Sequence, residues 1–127
     1  LEWITTLNLD NATALAIDDN RKLIYVLTAD TGTVLVYNAT HHCLLNSISI
    51  EGRGIDLAIS PTGDTLYVIR YTTANPGDTT GNYFLRVLDT QNLNQPGNDI
   101  ALASGSLDNP PQVIVATEDG SGCAYVL

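Results

Sequence analysis

The side chains of this chain that could ligate a metal or act in catalysis are few and poorly placed. His41 and His42 are its two histidines, and Cys43 follows them directly. Adjacent residues of an extended segment point to opposite faces, and no second group of zinc ligands follows at a usual spacing. A catalytic triad needs a histidine held beside its nucleophile. We therefore predict no catalytic residues, no metal ligands and no cofactor.

The charge balance is strongly acidic and limits the kinds of partner. Fourteen Asp and Glu residues against five Lys and Arg residues give a formal net charge of −9. Binding to a phosphate backbone depends on clusters of Lys and Arg, so we expect no nucleic-acid partner. A hydrophobic content of 44% suffices for one core, and no apolar run has the length of a membrane span. We expect one domain that does not insert into a membrane.

The stretch Ile55–Ile69 is the unit that organises the chain, because its apolar residues alternate on both sides of a short turn. This alternation predicts two antiparallel strands, with Pro61 setting φ in the turn and Gly63 able to adopt a positive φ. The hairpin occurs three times. Shifts of 42 and 58 residues align its strands with Leu15-Ala16-Ile17 and Ile24-Tyr25-Val26, and with Val115-Ala116 and Ala124-Tyr125-Val126. Self-similarity near forty residues with strand-type alternation predicts a β-propeller.

The repeated strands and turns resemble a known family. Ser60–Val68 (SPTGDTLYV) is similar to the core of the YVTN-type β-propeller repeat, and Val34–Thr40 (VLVYNAT) and Leu85–Thr90 (LRVLDT) resemble the strand and turn that follow it. The resemblance covers essentially the whole chain. It implies an all-β fold of propeller blades, each with four antiparallel strands. The family includes lactonases, redox enzymes, DNA-associated proteins and cell-surface proteins, so the fold alone assigns no function.

The resemblance divides residues 1–127 into parts of successive blades. Residues 1–9 are predicted to be the outer strand of a preceding blade, residues 14–50 and 55–104 two blades, and residues 112–127 the first two strands of a further blade. A closed propeller needs about four to eight blades, so this arc cannot close alone. Three alternatives follow: a fragment of a longer polypeptide, identical arcs that complete a ring or stack, or an independently folding capped sandwich.

One face of the predicted propeller carries the candidate site, because the connections from strand D to A and from strand B to C share it. Arg53 is the first candidate for a ligand or inter-blade contact. It lies between Gly52 and Gly54, and we expect these two glycines to allow a strained backbone path between the blades. Arg70–Asn82 and Gln91–Gly97 are predicted to be inserted surface loops, and long loops in a compact repeat are often functional. The residues predicted to contact a ligand or partner are Glu51, Arg53, Arg70, Tyr71, Asp78 and Asp108, with Asp30 as a further candidate.

Two short motifs bear on the location of the protein. Asn11-Ala12-Thr13 and Asn38-Ala39-Thr40 are acceptor sequences for N-glycosylation, and we expect Asn11 and Asn38 in exposed turns. Together with a surface rich in Thr and Asn and poor in Lys, they favour an extracellular, periplasmic or cell-surface location.

The two cysteines are not expected to pair within the chain. Cys43 and Cys123 fall on different strand types two blades apart. Packed sheets lie about 10 Å apart, whereas the Cα atoms of a disulfide lie within about 7 Å of each other. Unpaired thiols and an intermolecular bridge are the alternatives.

These observations predict a non-enzymatic extracytoplasmic binding or structural module built from YVTN-like blades. Its partners would be the remaining blades of the same polypeptide or another copy of the chain, and an unidentified protein or small-molecule ligand. The alternative is part of a propeller enzyme, lactonase-like or redox-associated, whose site is completed by blades absent from this chain. Bound metal, or carboxylates with a raised pKa at the channel mouth, would favour the enzyme.

Overall fold

A computed structural model describes residues 11–95, 97–111, 113–115 and 124–126. Within these residues the chain forms ten β-strands and no helix, so none of the described structure is a helix able to cross a membrane. The predicted outer strand of residues 1–9 and Cys123 lie outside the described residues.

Two antiparallel sheets of four strands each form most of the structure, and in both the strands lie side by side in chain order. This confirms the predicted all-β class and the four-stranded sheets. Blade 1 consists of β1 (Ala12–Asp18), β2 (Leu23–Thr28), β3 (Thr33–Asn38) and β4 (Leu44–Ser49). Blade 2 consists of β5 (Arg53–Ile59), β6 (Thr65–Thr72), β7 (Gly81–Asp89) and β8 (Asn98–Gly105), and a third, two-stranded antiparallel sheet consists of β9 (Val113–Val115) and β10 (Ala124–Val126).

The internal repeat is visible in the strand register. In both blades the first two strands pair in the same way when the numbering is shifted by 42. Leu15 pairs with Val26 and Ile17 with Ile24 in blade 1, and Leu57 pairs with Val68 and Ile59 with Leu66 in blade 2. Equivalent residues therefore occupy equivalent positions in the two sheets.

The two blades pack face to face around one apolar core, which we call the shared core. β5 lies against β1 and β2, and the alternation of side chains along each strand turns one face of each blade to the other. Leu93, in the connection between β7 and β8, is half-buried against the same core. The buried members are Tyr25, Leu27, Val34, Val36 and Ile50 from blade 1 and its following connection, and Leu57, Leu66, Val68 and Leu88 from blade 2.

The opposite face of blade 2 carries a second core rich in aromatic residues. The rings of Tyr71 and Tyr83 lie 4.8 Å apart, centroid to centroid, with their planes tilted by 48°. β9 packs beside β5 and β6. The buried members of this core are Tyr67, Ile69, Tyr71, Tyr83 and Leu85.

Polar contacts join the blades at the end where β1 turns into β2 and β5 turns into β6. Gly63 adopts φ 78°, the positive value that the turn sequence predicts, and its carbonyl accepts a hydrogen bond from Arg21 Nη1. Arg21 Nη2 donates to Asp64 Oδ1 at 2.6 Å, and Thr90 Oγ1 donates to the Gly63 carbonyl at 2.6 Å. Asp18 Oδ1 holds the other turn by accepting the backbone N–H of Arg21 at 3.1 Å.

The inserted loop between β6 and β7 is shorter than the predicted Arg70–Asn82. Arg70 pairs with Phe84 and Thr72 with Asn82 across the two strands, so the ladder extends into both ends of the predicted loop. Only residues 73–80 leave the sheet, and all of them are exposed. The polar composition of the segment hid this continuation, because hydrogen bonds between strands do not depend on apolar side chains.

Candidate functional site

An open cleft of about 470 Å³ lies at the end of the blades where β4 connects to β5 and β6 connects to β7. We call it the loop-face cleft. It brings together five of the six residues predicted as ligand contacts, and Asp108 is absent from its lining. The cleft is lined by Glu51, Gly52, Arg53, Arg70, Tyr71, Thr72, Thr73, Asp78 and Leu107.

The connection from β4 to β5 forms one wall of the cleft through an unusual backbone path. Glu51 adopts φ 57° and Gly52 φ 107°, and a positive φ is uncommon for a residue with a side chain. A Cβ on Gly52 would lie 2.6 Å from the Tyr71 carbonyl oxygen. The strained path predicted for Gly52 is therefore present, and it also includes Glu51, which the sequence did not mark.

Arg53 begins β5 and contacts the other blade. Its Nη1 donates to Asp30 Oδ1 at 3.1 Å, and the two side chains are 46% and 56% exposed. The strained conformation expected for Gly54 was wrong, because Gly54 is required for close approach instead. Its N–H donates to the Ala29 carbonyl at 3.0 Å, and a Cβ there would lie 2.5 Å from the Thr28 carbonyl oxygen.

Arg70 lines the cleft, but its guanidinium is largely committed to holding the structure. Nη2 donates to Asp99 Oδ2 at 2.6 Å and Nη1 to the Glu51 carbonyl at 2.9 Å. The guanidinium carbon also lies 4.7 Å from the centre of the Phe84 ring, a distance that suits a cation–π contact. Arg70 therefore positions the Glu51 connection and presents little of its charge to a ligand.

Asp99 is the residue that sequence reasoning missed. Arg86 Nε donates to its Oδ1 at 2.9 Å and Arg86 Nη2 to its Oδ2 at 3.1 Å, so one carboxylate lies between Arg86 and Arg70. Hydrogen bonds from Arg86, and then from Arg70, lower the pKa of Asp99 from 3.8 to about 2. No spacing in the sequence signals this group, because its members come from β6, β7 and β8.

Tyr71 serves the second core rather than the cleft. Its side chain is buried, and its hydroxyl donates to the Gly105 carbonyl at 3.3 Å. Residues 67, 69 and 71 alternate on one face of β6, so the period of the strand could have identified Tyr71 as inward-facing.

The remaining charged candidates lie on exposed loops. Asp78 Oδ2 accepts the backbone N–H of Asn75 at 2.9 Å, which holds the loop between β6 and β7. Asp108 instead faces Ser106, whose Oγ accepts the backbone N–H of Asp108 at 3.4 Å. Its neighbour Leu107, exposed and apolar, lines the cleft in its place.

Of the two predicted glycosylation sites, Asn11 lies in a turn as expected, whereas Asn38 is the last residue of β3 and the exposed turn expected for it was wrong. Asn11 is exposed with φ 59°. Asn38 is half-buried, and its Oδ1 accepts the backbone N–H groups of Thr40 and His41 at 2.8 and 3.0 Å. The Asn38 side chain thus supports the turn after β3.

In the part of the chain that the structure describes, no three His, Cys, Asp or Glu side chains come together as metal ligands. Cys43 is exposed and free, with Sγ 3.4 Å from the His41 carbonyl oxygen.

Comparison with known proteins supports the fold. No family model and no curated protein sequence matches the chain. Among solved structures, a chain of hydrazine synthase from Kuenenia stuttgartiensis, a propeller-containing protein, is similar with a TM-score of 0.55 and 22% sequence identity. The match covers 79% of this chain and 25% of that one, so this chain spans about a quarter of its neighbour's length. The four-stranded sheets are propeller blades, and at this identity the likeness shows the fold alone.

Proposed function

We propose that this chain is a segment of a YVTN-type β-propeller that acts as a non-enzymatic, extracytoplasmic binding or structural module. Its loop-face cleft binds a positively charged segment of a partner protein. One observation carries the proposal: Glu51 and Asp78 both line the cleft, and no ion pair within 4 Å among the described residues uses either carboxylate.

The two arginines of the cleft do not cancel this negative charge. Arg53 is paired with Asp30, and Arg70 shares Asp99 with Arg86. These three arginines and two aspartates have a net charge of +1, against −2 for Glu51 and Asp78. The net charge of −9 for the chain adds a long-range field that attracts basic partners and raises their association rate. Both the local charge of the cleft and the net charge of the chain favour a cationic ligand.

The cleft also offers an apolar surface next to its carboxylates. Leu107 is exposed at its rim, and Thr72 and Thr73 line it beside Asp78. A lysine side chain buries its methylene stem against apolar surface while its ammonium group stays among polar groups. A segment with lysine next to an aliphatic residue fits this arrangement.

Three carboxylates outside the loop-face cleft are unsuited to general-acid catalysis, because their pKa values are lowered. Hydrogen bonds from Lys22, Arg21 and Arg86 lower the pKa of Asp19, Asp64 and Asp99 respectively. A general acid needs a raised pKa. These carboxylates serve as ion-pair partners in the fold.

The location and the larger assembly are part of the same proposal. Asn11 is exposed in a turn and Asn38 is half-buried at the end of β3. The glycosylation motif at each supports an extracellular, periplasmic or cell-surface setting. Further blades, from the same polypeptide or from another copy, would complete the propeller.

Isothermal titration calorimetry at low salt tests the cleft, with the peptide acetyl-Lys-Leu-Lys-amide as the ligand and acetyl-Glu-Leu-Glu-amide as the control. We expect weak binding of the lysine peptide, with a Kd on the order of 1 mM, and none of the glutamate peptide. The double variant Glu51→Gln, Asp78→Asn should weaken binding by about fivefold, since each exposed charge pair contributes under about 1 kcal/mol. Asn at position 78 keeps an acceptor for the Asn75 N–H.

A charge-matched variant separates the cleft from the overall charge. The double variant Asp19→Asn, Asp89→Asn also removes two negative charges, but from residues that do not line the cleft. It should bind the lysine peptide like the wild type. Equal weakening in both double variants, or binding of the glutamate peptide with similar affinity, would contradict the proposal.

A further inference from the structure

The backbone of Glu51 adopts a conformation that needs support. Its φ of 57° lies in the left-handed region, which a residue with a side chain rarely adopts. The Glu51 N–H reaches Ser49 Oγ at 3.4 Å, whereas its carbonyl accepts a shorter hydrogen bond, 2.9 Å, from Arg70 Nη1. The bond from Arg70 therefore helps to fix the direction in which the Glu51 side chain leaves the backbone.

Arg70 is held in turn by a carboxylate that does not line the cleft. Arg70 Nη2 lies 2.6 Å from Asp99 Oδ2 and Arg70 Nε 3.4 Å from Asp99 Oδ1. Arg86 donates two further hydrogen bonds to the same carboxylate. The side chains of Arg70 and Arg86 are 10% and 11% exposed, so water competes little for these bonds. One arginine thus connects Asp99 to the Glu51 carbonyl.

Blade 1 shows that a four-stranded blade does not require this charged group. Its residues at the equivalent positions, by the shift of 42 and the pairing of the strands, are Thr28, Leu35 and Ser47. None of them is charged. Thr28 instead serves its own hairpin, where its Oγ1 accepts the Thr33 N–H at 3.1 Å. The charged group is therefore a feature of blade 2, the blade that contacts the connection at the cleft.

The Glu51 carboxylate also interacts with this group through space. The pKa of Arg86 is raised mainly by its hydrogen bond to Asp99, and the negative charge of Glu51 raises it as well. Among the described residues, no ion pair within 4 Å uses Glu51. Arg86 therefore attracts the Glu51 carboxylate and still leaves it available to a ligand.

We propose that Asp99 is a positioning residue for ligand binding in the loop-face cleft. Through Arg70, it holds the connection from β4 to β5 in the conformation that places the Glu51 carboxylate in the cleft. This inference rests on the proposed binding of a cationic segment, and it makes the affinity depend on a residue that does not touch the ligand. Loss of Asp99 lowers the fraction of molecules in the binding conformation, and the apparent affinity falls by the same factor.

Nuclear magnetic resonance of the 127-residue chain tests the link between Asp99 and Glu51 without a ligand. A positive φ brings the amide hydrogen and Hα of one residue close together, so wild-type Glu51 should show a strong nuclear Overhauser effect between them. Asp99→Asn removes the charge and one acceptor. Arg70→Lys keeps the charge but loses the planar group that donates to two partners at once. Both variants should weaken the Glu51 signal.

Titration of the same variants with acetyl-Lys-Leu-Lys-amide at low salt tests the effect on binding. Each should bind about twofold more weakly, which is the share of Glu51 in the loss of about fivefold expected when both cleft carboxylates are removed. In the Glu51→Gln background, Asp99→Asn should have no further effect, because changes that act through one group are not additive. A general loss of stability, or a direct effect of the Asp99 charge on the peptide, would persist in that background.

Asp89→Asn and Thr90→Val are the matched controls, at the opposite end of the blades. Asp89→Asn removes one negative charge from a residue that does not line the cleft. Thr90→Val removes the hydrogen bond to the Gly63 carbonyl, so it reports on the loss of a contact elsewhere in the fold. Both should keep the wild-type Glu51 signal and the wild-type affinity for the lysine peptide.

The possible results separate this inference from the proposed function. An unchanged Glu51 signal or an unchanged affinity in Asp99→Asn and Arg70→Lys would overturn the inference, and so would an equal loss of affinity with and without the Glu51 carboxylate. If the wild type does not bind the lysine peptide, the proposed function fails. The Glu51 signal alone then decides whether Asp99 positions this connection.

Discussion

Arg53 Nη1 donates a hydrogen bond to Asp30 Oδ1 at 3.1 Å, and this contact joins the first strand of blade 2 to the loop between β2 and β3 of blade 1. A second contact lies beside it, from the Gly54 N–H to the Ala29 carbonyl. The mouth of the loop-face cleft is therefore held by both blades. A change in the packing between blades would alter the shape of the cleft.

The Arg53–Asp30 pair should contribute little to global stability. Both side chains are about half exposed, and exposed pairs contribute about 0.2–1 kcal/mol. A double-mutant cycle with Arg53→Ala and Asp30→Ala, measured by urea denaturation, should give a coupling free energy of about 0.5 kcal/mol that falls as salt is added. A coupling above about 2 kcal/mol would show that solvent does not screen the pair.

Asp99 should contribute more to stability than a carboxylate without an ion pair. Asp99→Asn leaves the side chains of Arg70 and Arg86 without their shared anion, and we expect the free energy of unfolding at pH 7 to fall by about 1 kcal/mol, because solvent partly screens this exposed residue. Asp108→Asn is the control, because it removes an exposed carboxylate that forms no ion pair among the described residues. It should change the free energy of unfolding by less than about 0.5 kcal/mol.

The contribution of Asp99 should depend on pH in one direction. Its pKa in the folded chain, about 2, lies below its ordinary value of 3.8, so the unfolded chain binds a proton more readily. The stabilisation is complete above about pH 4 and is lost as the pH falls towards 2. The difference in unfolding free energy between wild type and Asp99→Asn should shrink over this range, and a constant difference from pH 6 to pH 2 would be evidence against the ion pairs.

Removing the hydroxyl group should change the free energy of unfolding differently at two buried tyrosines. Tyr25 Oη is buried without a hydrogen-bond partner among the described residues, and burial is the largest cause of its raised pKa. Tyr83 donates its hydroxyl to the Ser106 carbonyl. By urea denaturation, Tyr25→Phe should be neutral or stabilising and Tyr83→Phe should cost about 1 kcal/mol; the reverse order would contradict these assignments.

Gly63 and Gly77 offer a matched test of backbone strain and packing. Both have a positive φ, 78° and 88°. A Cβ on Gly63 would collide with Asp18 Oδ2, whereas one on Gly77 would meet nothing within 4 Å. Gly77→Ala should cost about 1–2 kcal/mol from strain alone, and Gly63→Ala should cost clearly more in the same urea experiment. Equal costs would show that the Asp18 carboxylate moves aside freely.

The repeat made the blades predictable, because one hairpin pattern fixed the pairing of both. The alignment of Leu15 with Leu57 and of Tyr25 with Tyr67 placed strands correctly without any three-dimensional information. The extent of the loop after β6 was not predictable in this way. Polar residues such as Thr72 and Asn82 continue the ladder through backbone hydrogen bonds alone.

The candidate site was predictable in part. Glu51, Arg53 and Asp78 were placed on one face by the order of the connections, and they line one cleft. Asp99 was not predictable, because its contacts with Arg70 and Arg86 depend on the register of three strands. Leu107 was missed because an isolated apolar residue in a loop carries no periodic signal.

The shared core is built by both blades. Tyr25 and Leu27 come from blade 1 and Leu66 and Val68 from blade 2, and Leu93 packs against them from the connection between β7 and β8. Heating should therefore disorder both blades in a single cooperative calorimetric transition. Proteolysis between β4 and β5 followed by separation of the pieces would leave each with half an interior in water, so neither piece should refold without the other.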